Sequence, residues 1–287
     1  MNSEKNKVCD GVLYLVATPI GNLSDLSERA LKVLSEVDFV AAEDTRNSGL
    51  LLSRFGISKP LVSYYEHNKR ERGEYIAKRL LNGESCALIT DAGMPAISDP
   101  GEDIVKLCGE LNIPVTAVPG CCAAVTALAL SGLTTGRFAF EGFITTNKSD
   151  RRDRLTSLKY EERTMILYEA PHKLRGTLDD ILKYMGDRKI TLCRELTKLN
   201  EEIIRTTVSK ACELYKEKDP RGEYVLILEG GIKDTEAAAH PDDPEEHVRM
   251  YTEGGMSRMD AIKAAAKDRG VPKGVLYKEL LKSENDD

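Results

Sequence analysis

The chain has 287 residues, 41% hydrophobic and 31% charged, with a net charge of −6. This composition excludes fibrous, collagen-like and wholly disordered chains, and the length suits two domains with additions. No run of about eighteen apolar residues occurs, so no spanning helix and no membrane association is expected, and the polar residues 1–7 do not resemble a secretory signal.

Apolar runs alternate with amphipathic stretches through the first half. Residues 12–17 predict a buried strand, and Ala30, Val33, Leu34 and Val37 recur at helical spacing. Asp25 and Glu28 suggest a capping box for that helix. A strand at 39–42 is followed by a helix at 45–55, closed by Gly56. Further strands are predicted at 61–64, 86–90 and 115–118, with helices at 68–81 and 102–111. Residues 121–130 are apolar on every side, as in a helix buried against a sheet. The βαβα rhythm predicts a mostly parallel, doubly wound sheet.

Residues 132–137 break the rhythm, and a domain boundary is placed at 133/134. Strands at 138–144, 164–169, 190–194, 202–206 and 224–229, a basic stretch at 148–159 and a helix at 171–185 predict a second α/β domain over 134–231. Its strands 190–194 and 202–206 suggest an antiparallel section. Residues 232–247, acidic and rich in Ala and Pro, read as a linker. Beyond them, a helix at 257–269 closed by Gly270 and another opened by Pro272 predict a helical hairpin within 248–287. Residues 256–282 hold seven Lys or Arg against three Asp or Glu.

The seven cysteines form no CxxC pair and His is scarce, with four in the chain. No metal site is expected. Most of the thiols lie in apolar contexts that suit buried packing in a reducing compartment.

Three loops fall at predicted carboxyl ends of parallel strands, where open α/β sheets bind ligands. The first, 18–22, contains Gly21, which permits close approach of backbone to a ligand. It lacks the GxGxxG pattern and also reads as a plain strand-to-helix turn. The second, Asp91-Ala92-Gly93-Met94-Pro95-Ala96-Ile97-Ser98-Asp99-Pro100-Gly101, is a stiff, shaped loop. Asp99 reads as a helix cap with Pro100 at the first helical position. No such capping accounts for 91–95. The third, 118–123, opens the apolar helix and presents free N–H groups. Its Cys121 and Cys122 read as small packing residues.

Five segments taken together carry a resemblance: Leu13-Tyr14-Leu15-Val16-Ala17-Thr18-Pro19-Ile20-Gly21-Asn22-Leu23, Ala41-Ala42-Glu43-Asp44-Thr45-Arg46, residues 90–101, Tyr168-Glu169-Ala170-Pro171-His172 and Arg194-Glu195-Leu196-Thr197-Lys198. In order and spacing, over about residues 12–230, the chain resembles the RsmI family. These are methyltransferases of the ribosomal small subunit that act on a cytidine 2′-hydroxyl, within the tetrapyrrole methylase superfamily. The resemblance implies two α/β lobes with S-adenosylmethionine (SAM) in the cleft between them, a helical C-terminal module, and a cytoplasmic homodimer acting on 16S rRNA of the small ribosomal subunit. Carried over residue by residue, Pro19, Ile20 and Gly21 match the first SAM loop. Asp91, Gly93, Met94, Pro95 and Ile97 match the second, Gly120, Cys121, Cys122 and Ala123 the third, and Tyr168 a position flanking the adenine. The family usually has Pro-Ser at Cys121-Cys122 and Thr at Met94, so a hydroxyl contact would be absent at Cys122 and Met94.

Transfer to a hydroxyl requires alignment and a proton acceptor. Glu43, Asp44 and His67 are the candidate bases, on first-domain loops expected at the cleft. Arg29 and Arg46 are candidates for holding phosphates. Lys148, Arg151, Arg152 and Arg154, with Lys263, Lys267 and Lys273 in the tail, are the expected RNA contacts, although both stretches also read as solvated helical faces. Two alternatives are a methylase acting on a small macrocycle and a non-catalytic RNA-binding assembly factor.

Overall fold

A computed structural model describes residues 7–231, 241–269 and 271–283. The chain divides into two units, Met1–Gly231 and Ile232–Asp287. Among the described residues, the first unit contains two five-stranded sheets.

Strands β1 (Leu13–Val16), β2 (Phe39–Ala42), β3 (Leu61–Ser63), β4 (Cys86–Ile89) and β5 (Val115–Val118) form the first sheet. Their order is β3-β2-β4-β1-β5, and all pairs are parallel. All four residues of β2 and of β4 are buried, as in strands covered on both faces. Helices α1 (Glu28–Glu36) and α2 (Thr45–Arg54) cover one face, where Leu34 and Leu52 join Val16, Val40 and Ile89. Helices α3 (Lys69–Leu81) and α4 (Glu102–Glu110) cover the other, packing Ile76, Leu80 and Ile104 on Leu13, Phe39 and Leu88.

The caps differ in part from expectation. Ser27, not Asp25, caps α1, accepting from the Ala30 N–H, while Asp25 lies in a 3₁₀ turn capped by Asn22. Gly101, with φ +150°, occupies the cap position of α4. Asp99 is therefore not the cap of that helix, and its carboxyl is available elsewhere.

The second sheet has strands β6 (Phe138–Phe143), β7 (Thr164–Glu169), β8 (Lys189–Arg194), β9 (Glu202–Thr207) and β10 (Tyr224–Leu228), ordered β6-β7-β10-β8-β9. Only β6–β7 is parallel; the other three pairs are antiparallel. Alternate residues of β10 serve two cores. Tyr224, Leu226 and Leu228 face α7 (Pro171–Met185) and α8 (Val208–Glu217), while Val225 and Ile227 face the opposite side.

Helix α5 (Ala123–Ser131) covers that opposite side. The expected boundary at 133/134 counted it with the first lobe, but it packs on the second sheet. Ala124, Ala127 and Leu128 lie against Ile166, Cys193, Val225 and Ile227. Small residues let the helix sit close, and the Thr191 hydroxyl donates to the Ser131 carbonyl at 3.0 Å. Sequence order and packing therefore diverge at the crossover between the sheets.

Among the described residues, the second unit has three helices rather than two. Helix α9 (Pro244–Glu253) begins inside the stretch read as linker. Asp243 caps it and Pro244 takes a first-turn position, a start signal masked by the acidic surroundings. The rest of that stretch, 232–240, and Gly270, read as a helix stop, lie outside the described residues. Helices α10 (Arg258–Asp268) and α11 (Lys273–Ser283) complete a core of Val248, Ala261, Ile262, Ala265, Leu276 and Leu280. Buried His247 accepts at Nδ1 from Arg269 Nε at 3.1 Å, tying α9 to the end of α10. Among the described residues, no helix is long and apolar enough to cross a membrane.

Candidate active site

The carboxyl ends of β1, β4 and β5 converge through backbone contacts. Thr18 and Gly93 exchange N–H···O bonds of 2.9 and 3.0 Å, and the Thr18 hydroxyl donates to the Thr90 carbonyl at 3.0 Å. Gly93 has φ +86°, which explains why glycine stands there. A Cβ on Gly120 would lie 2.9 Å from that of Ala17, so the third loop rests directly on the first. The interlocked loops form one wall of a cavity of about 580 Å³, and the second sheet forms the other. That size is within the range of ligand sites, roughly 300–1,000 Å³.

Ile20, Gly93, Met94 and Ile97 line the first wall, with Cys122 and Ala123 at the start of α5. Three carboxylates join them. Glu43 follows β2 and lines the cavity beside Asp91. Burial, then the neighbouring Asp91, push its carboxyl above the usual range. Asp99 is pushed up to about 6, first by burial and then by Glu43 and Asp91. Asp91 is held by the Asn47 amide, Nδ2 to Oδ2 at 3.0 Å. Asp99 lies beyond Ala96 and Ser98, which have left-handed φ of 67° and 63°. Such backbone costs on the order of 1–3 kcal/mol per residue and collects at functional sites.

Tyr168 stands on the second wall, edge-on to Phe140 and Phe143 at 5.2 and 5.5 Å. Burial raises its phenol to about 12, so it is a neutral hydrogen-bonding group at physiological pH. Nearby, the β8–β9 turn places Glu195 and Thr197 at φ 52° and 66°. Lys198 Nζ bridges Glu195 and Glu223, each at 2.9 Å. A Cβ on Gly21 would lie 2.4 Å from Lys198 Cγ, so the first loop is clasped by this turn.

The structure separates the remaining predicted residues. Pro19 and Gly21 line an adjoining hollow of about 180 Å³, with Thr90 and Asp91. Pro95 is buried beneath its loop, while exposed Gly120 and half-buried Cys121 are not among the residues that line the cavity. Cys121 Sγ points at the Asp25 carbonyl at 3.7 Å, and burial pushes its thiol up, away from reactivity.

Two of the three expected bases are displaced from the cavity. Asp44 caps α2 and takes the Arg46 guanidinium, which with the backbone holds it at about 2. A carboxylate so engaged is a weak proton acceptor. His67 is exposed on the loop after β3, edge-on to Tyr65. β3 is the sheet edge, two strands from β4 and on the order of 10 Å along the sheet.

Several expected phosphate contacts also have structural duties. Arg29 Nη2 donates to the Ala117 carbonyl at 2.5 Å and braces edge strand β5. Arg46 is 88% exposed, although it forks onto Asp44. In helix α6 (Lys148–Ser157), Arg151 is mostly buried and bonds Asp180 at 2.6 Å and Thr177 at 2.7 Å. It anchors α6 to α7 and is not a surface contact. Arg154 pairs with Glu141. Lys148 and Arg152 are exposed, as are Lys263, Lys267 and Lys273 in the second unit.

Asp99, Phe143, His172 and Lys198 line the cavity without having been assigned to it from sequence. The Asp-Pro pair at 99–100 imitates a helix start. Phe143 had a signal: Gly142 inside a predicted strand marks a bulge. Among the described residues, no group of His, Cys, Asp and Glu could hold a metal ion.

Residues 12–212 match the family of tetrapyrrole (corrin/porphyrin) methylases. A curated relative from Synechocystis sp., named ribosomal RNA small subunit methyltransferase I, is 43% identical over 277 residues, covering 96% of this chain and 99% of its own. A Bacillus subtilis protein of the same name is 44% identical, with 93% of each chain covered. Among solved structures, uroporphyrin-III C-methyltransferase from Thermus thermophilus aligns with a TM-score of 0.54 at 20% identity, over 76% of this chain and 94% of that one. Diphthine synthase aligns with a TM-score of 0.59 at 13% identity, over 76% and 89%.

Proposed function

The chain belongs to the tetrapyrrole methylase family and, within it, to the ribosomal RNA small subunit methyltransferase I family, and from that premise we propose that it methylates a cytidine 2′-hydroxyl in 16S rRNA. The observation that carries the chemistry is the carboxylate set, half-buried Glu43 and Asp99 with exposed Asp91, in a cavity walled by interlocked strand-end loops. The small-macrocycle alternative has likeness at the level of fold, at 20% identity.

The donor set suits SAM. Carboxylates complement a sulfonium and an ammonium group. The Thr90 and Thr197 hydroxyls are buried without a hydrogen-bond partner, at the two loop systems that meet around Gly21. Backbone of Ile20, Gly93, Met94, Cys122 and Ala123 would hold the cofactor, with Tyr168 beside its adenine and Pro19, Gly21, Pro95, Ile97, Gly120 and Cys121 supporting those loops. Bound SAM supplies an electrophilic methyl group that needs no metal.

The chain's own task is alignment and proton removal. Asp99 takes the hydroxyl proton; its pKa of about 6 leaves it mostly ionised at neutral pH yet more basic than an ordinary carboxylate. Glu43 and Asp91 raise that basicity and are positioning residues. Lys148, Arg152, Lys263, Lys267 and Lys273 supply local positive charge for RNA despite the net −6. The ribosomal substrate implies a cytoplasmic site of action. Homodimerisation is supported by α5, apolar on all sides, where Val125 remains 49% exposed. Light scattering on the purified chain tests the dimer: a monomer mass at micromolar concentration sinks it.

The experiment for the function is transfer of labelled methyl from SAM to isolated small ribosomal subunits, followed by nucleoside mass spectrometry. Label on a cytidine ribose supports the assignment. Label on a base, or no RNA label despite SAM binding, refutes it.

A further inference from the structure

Phe143 is 60% exposed at the end of β6, more than Phe138 at the strand's start, while Phe140 between them packs against the core. The cause is local. The β6–β7 register shifts between Phe140 and Gly142, and Gly142 adopts φ +60°. A bulge adds a residue and re-aims the side chain after it. Here it turns Phe143 toward the cavity, which the ring lines. The bulge is packed in place, since a Cβ on Gly142 would approach Ser98 Oγ to 3.1 Å. Tyr168 stands edge-on to the ring at 5.5 Å and supports it.

Unlike the other exposed apolar side chains, this ring lines the cavity, where an occupant can cover it. Position identifies one. Gly142 packs against Ser98, the neighbour of Asp99, so the ring belongs to the acid end of the second loop. The 2′-hydroxyl and the base of a ribonucleotide are attached to adjacent ribose carbons. A hydroxyl delivered to Asp99 brings its base to this part of the cavity. Helix α6 starts five residues after Phe143, with exposed Lys148 and Arg152 available to the flanking phosphates. Enzymes that modify a nucleotide take it out of the stack and restack the base on aromatic side chains.

We propose that Phe143 is the stacking platform for the base of the target nucleotide, presented by the Gly142 bulge and supported by Tyr168. This rests on the RNA-methylation reading above. It assigns a substrate-base subsite to the end of β6, beside the acid end of the second loop.

The test compares Phe143→Leu, which keeps apolar volume but removes the π-face, with Phe143→Trp, which keeps a ring. SAM dissociation constants are measured by calorimetry, and kcat/KM on isolated small subunits by methyl transfer. Base–aromatic stacking is worth about 1–3 kcal/mol, so Leu should lower kcat/KM by roughly 5- to 150-fold. Its SAM affinity should match wild type, and Trp should retain most of the activity. Equal kcat/KM for the Leu variant and wild type would overturn the proposal. So would a loss of SAM affinity in Leu that Trp restores, because the ring would then serve the cofactor's adenine. No RNA methylation by the wild-type protein would mark failure of the underlying reading instead.

Discussion

A single carboxylate carries most of the chemistry assigned to the cleft. If Asp99 removes the proton, Asp99→Asn should lower kcat by about 10²- to 10⁴-fold while SAM still binds. The pH profile gives a second readout. The acidic limb of kcat/KM should have an apparent pKa of about 6 in wild type and vanish in the Asn variant. Stability should change with the opposite sense. The folded Asp99 value lies above the ordinary 3.8, so the native state holds more protons than the unfolded one between about 4 and 6. Stability from this group is therefore complete at low pH and declines as pH rises through that window. Urea titrations of wild type and Asp99→Asn at either end of it measure the difference. Asp44→Ala is the contrasting variant: it should lower the melting temperature through loss of the α2 cap and leave turnover near wild type. A loss of turnover there, with SAM binding intact, would return Asp44 to the catalytic set.

At the level of elements, glycine contacts and helix packing decide how the loops are held. Gly21→Ala would drive a Cβ to 2.4 Å from Lys198 Cγ at a φ of +152° that alanine rarely adopts. Calorimetry should find weaker SAM binding, and thermal melting a loss of about 1–3 kcal/mol. Ala127→Leu would overfill the seam between α5 and the second sheet, where Ala127 is fully buried. That seam should lose a similar 1–3 kcal/mol. These elements were unequally legible beforehand. Buried parallel strands such as 86–89 announce themselves as short apolar runs, and Pro171 marks the start of α7. Helix 121–130 was readable as buried, but not against which sheet, because an all-apolar helix has no face that names its partner. Asp99 was misread for a similar reason. Asp-Pro is a sound cap signal, and the contact of Gly101 with Ala96 that shifts the cap by two residues spans a turn no local pattern describes. His67 looked equivalent to Glu43 as a residue after a strand, until strand order put its strand at the sheet edge.

At the scale of the whole molecule, charge and chain connectivity matter more than any one contact. Lys263 and Lys267 stand one turn apart on α10, opposite the buried Ala261, Ile262, Ala265 and Ala266. Reversing both to Glu should raise KM for small subunits and flatten its salt dependence by about one log–log unit per lysine, with SAM affinity unchanged. An unchanged salt slope would leave α10 as a solvated face. The placement of α5 has a different outcome, for dissection of the chain. A break at 133/134 would strip the second sheet of the helix covering Ile166, Cys193, Val225 and Ile227, and leave that helix dangling from the other fragment. A break in the turn just before Ala123 gives each fragment its own complete set of layers. Protein-fragment complementation should therefore succeed when the chain is cut ahead of α5 and give aggregation when it is cut after it.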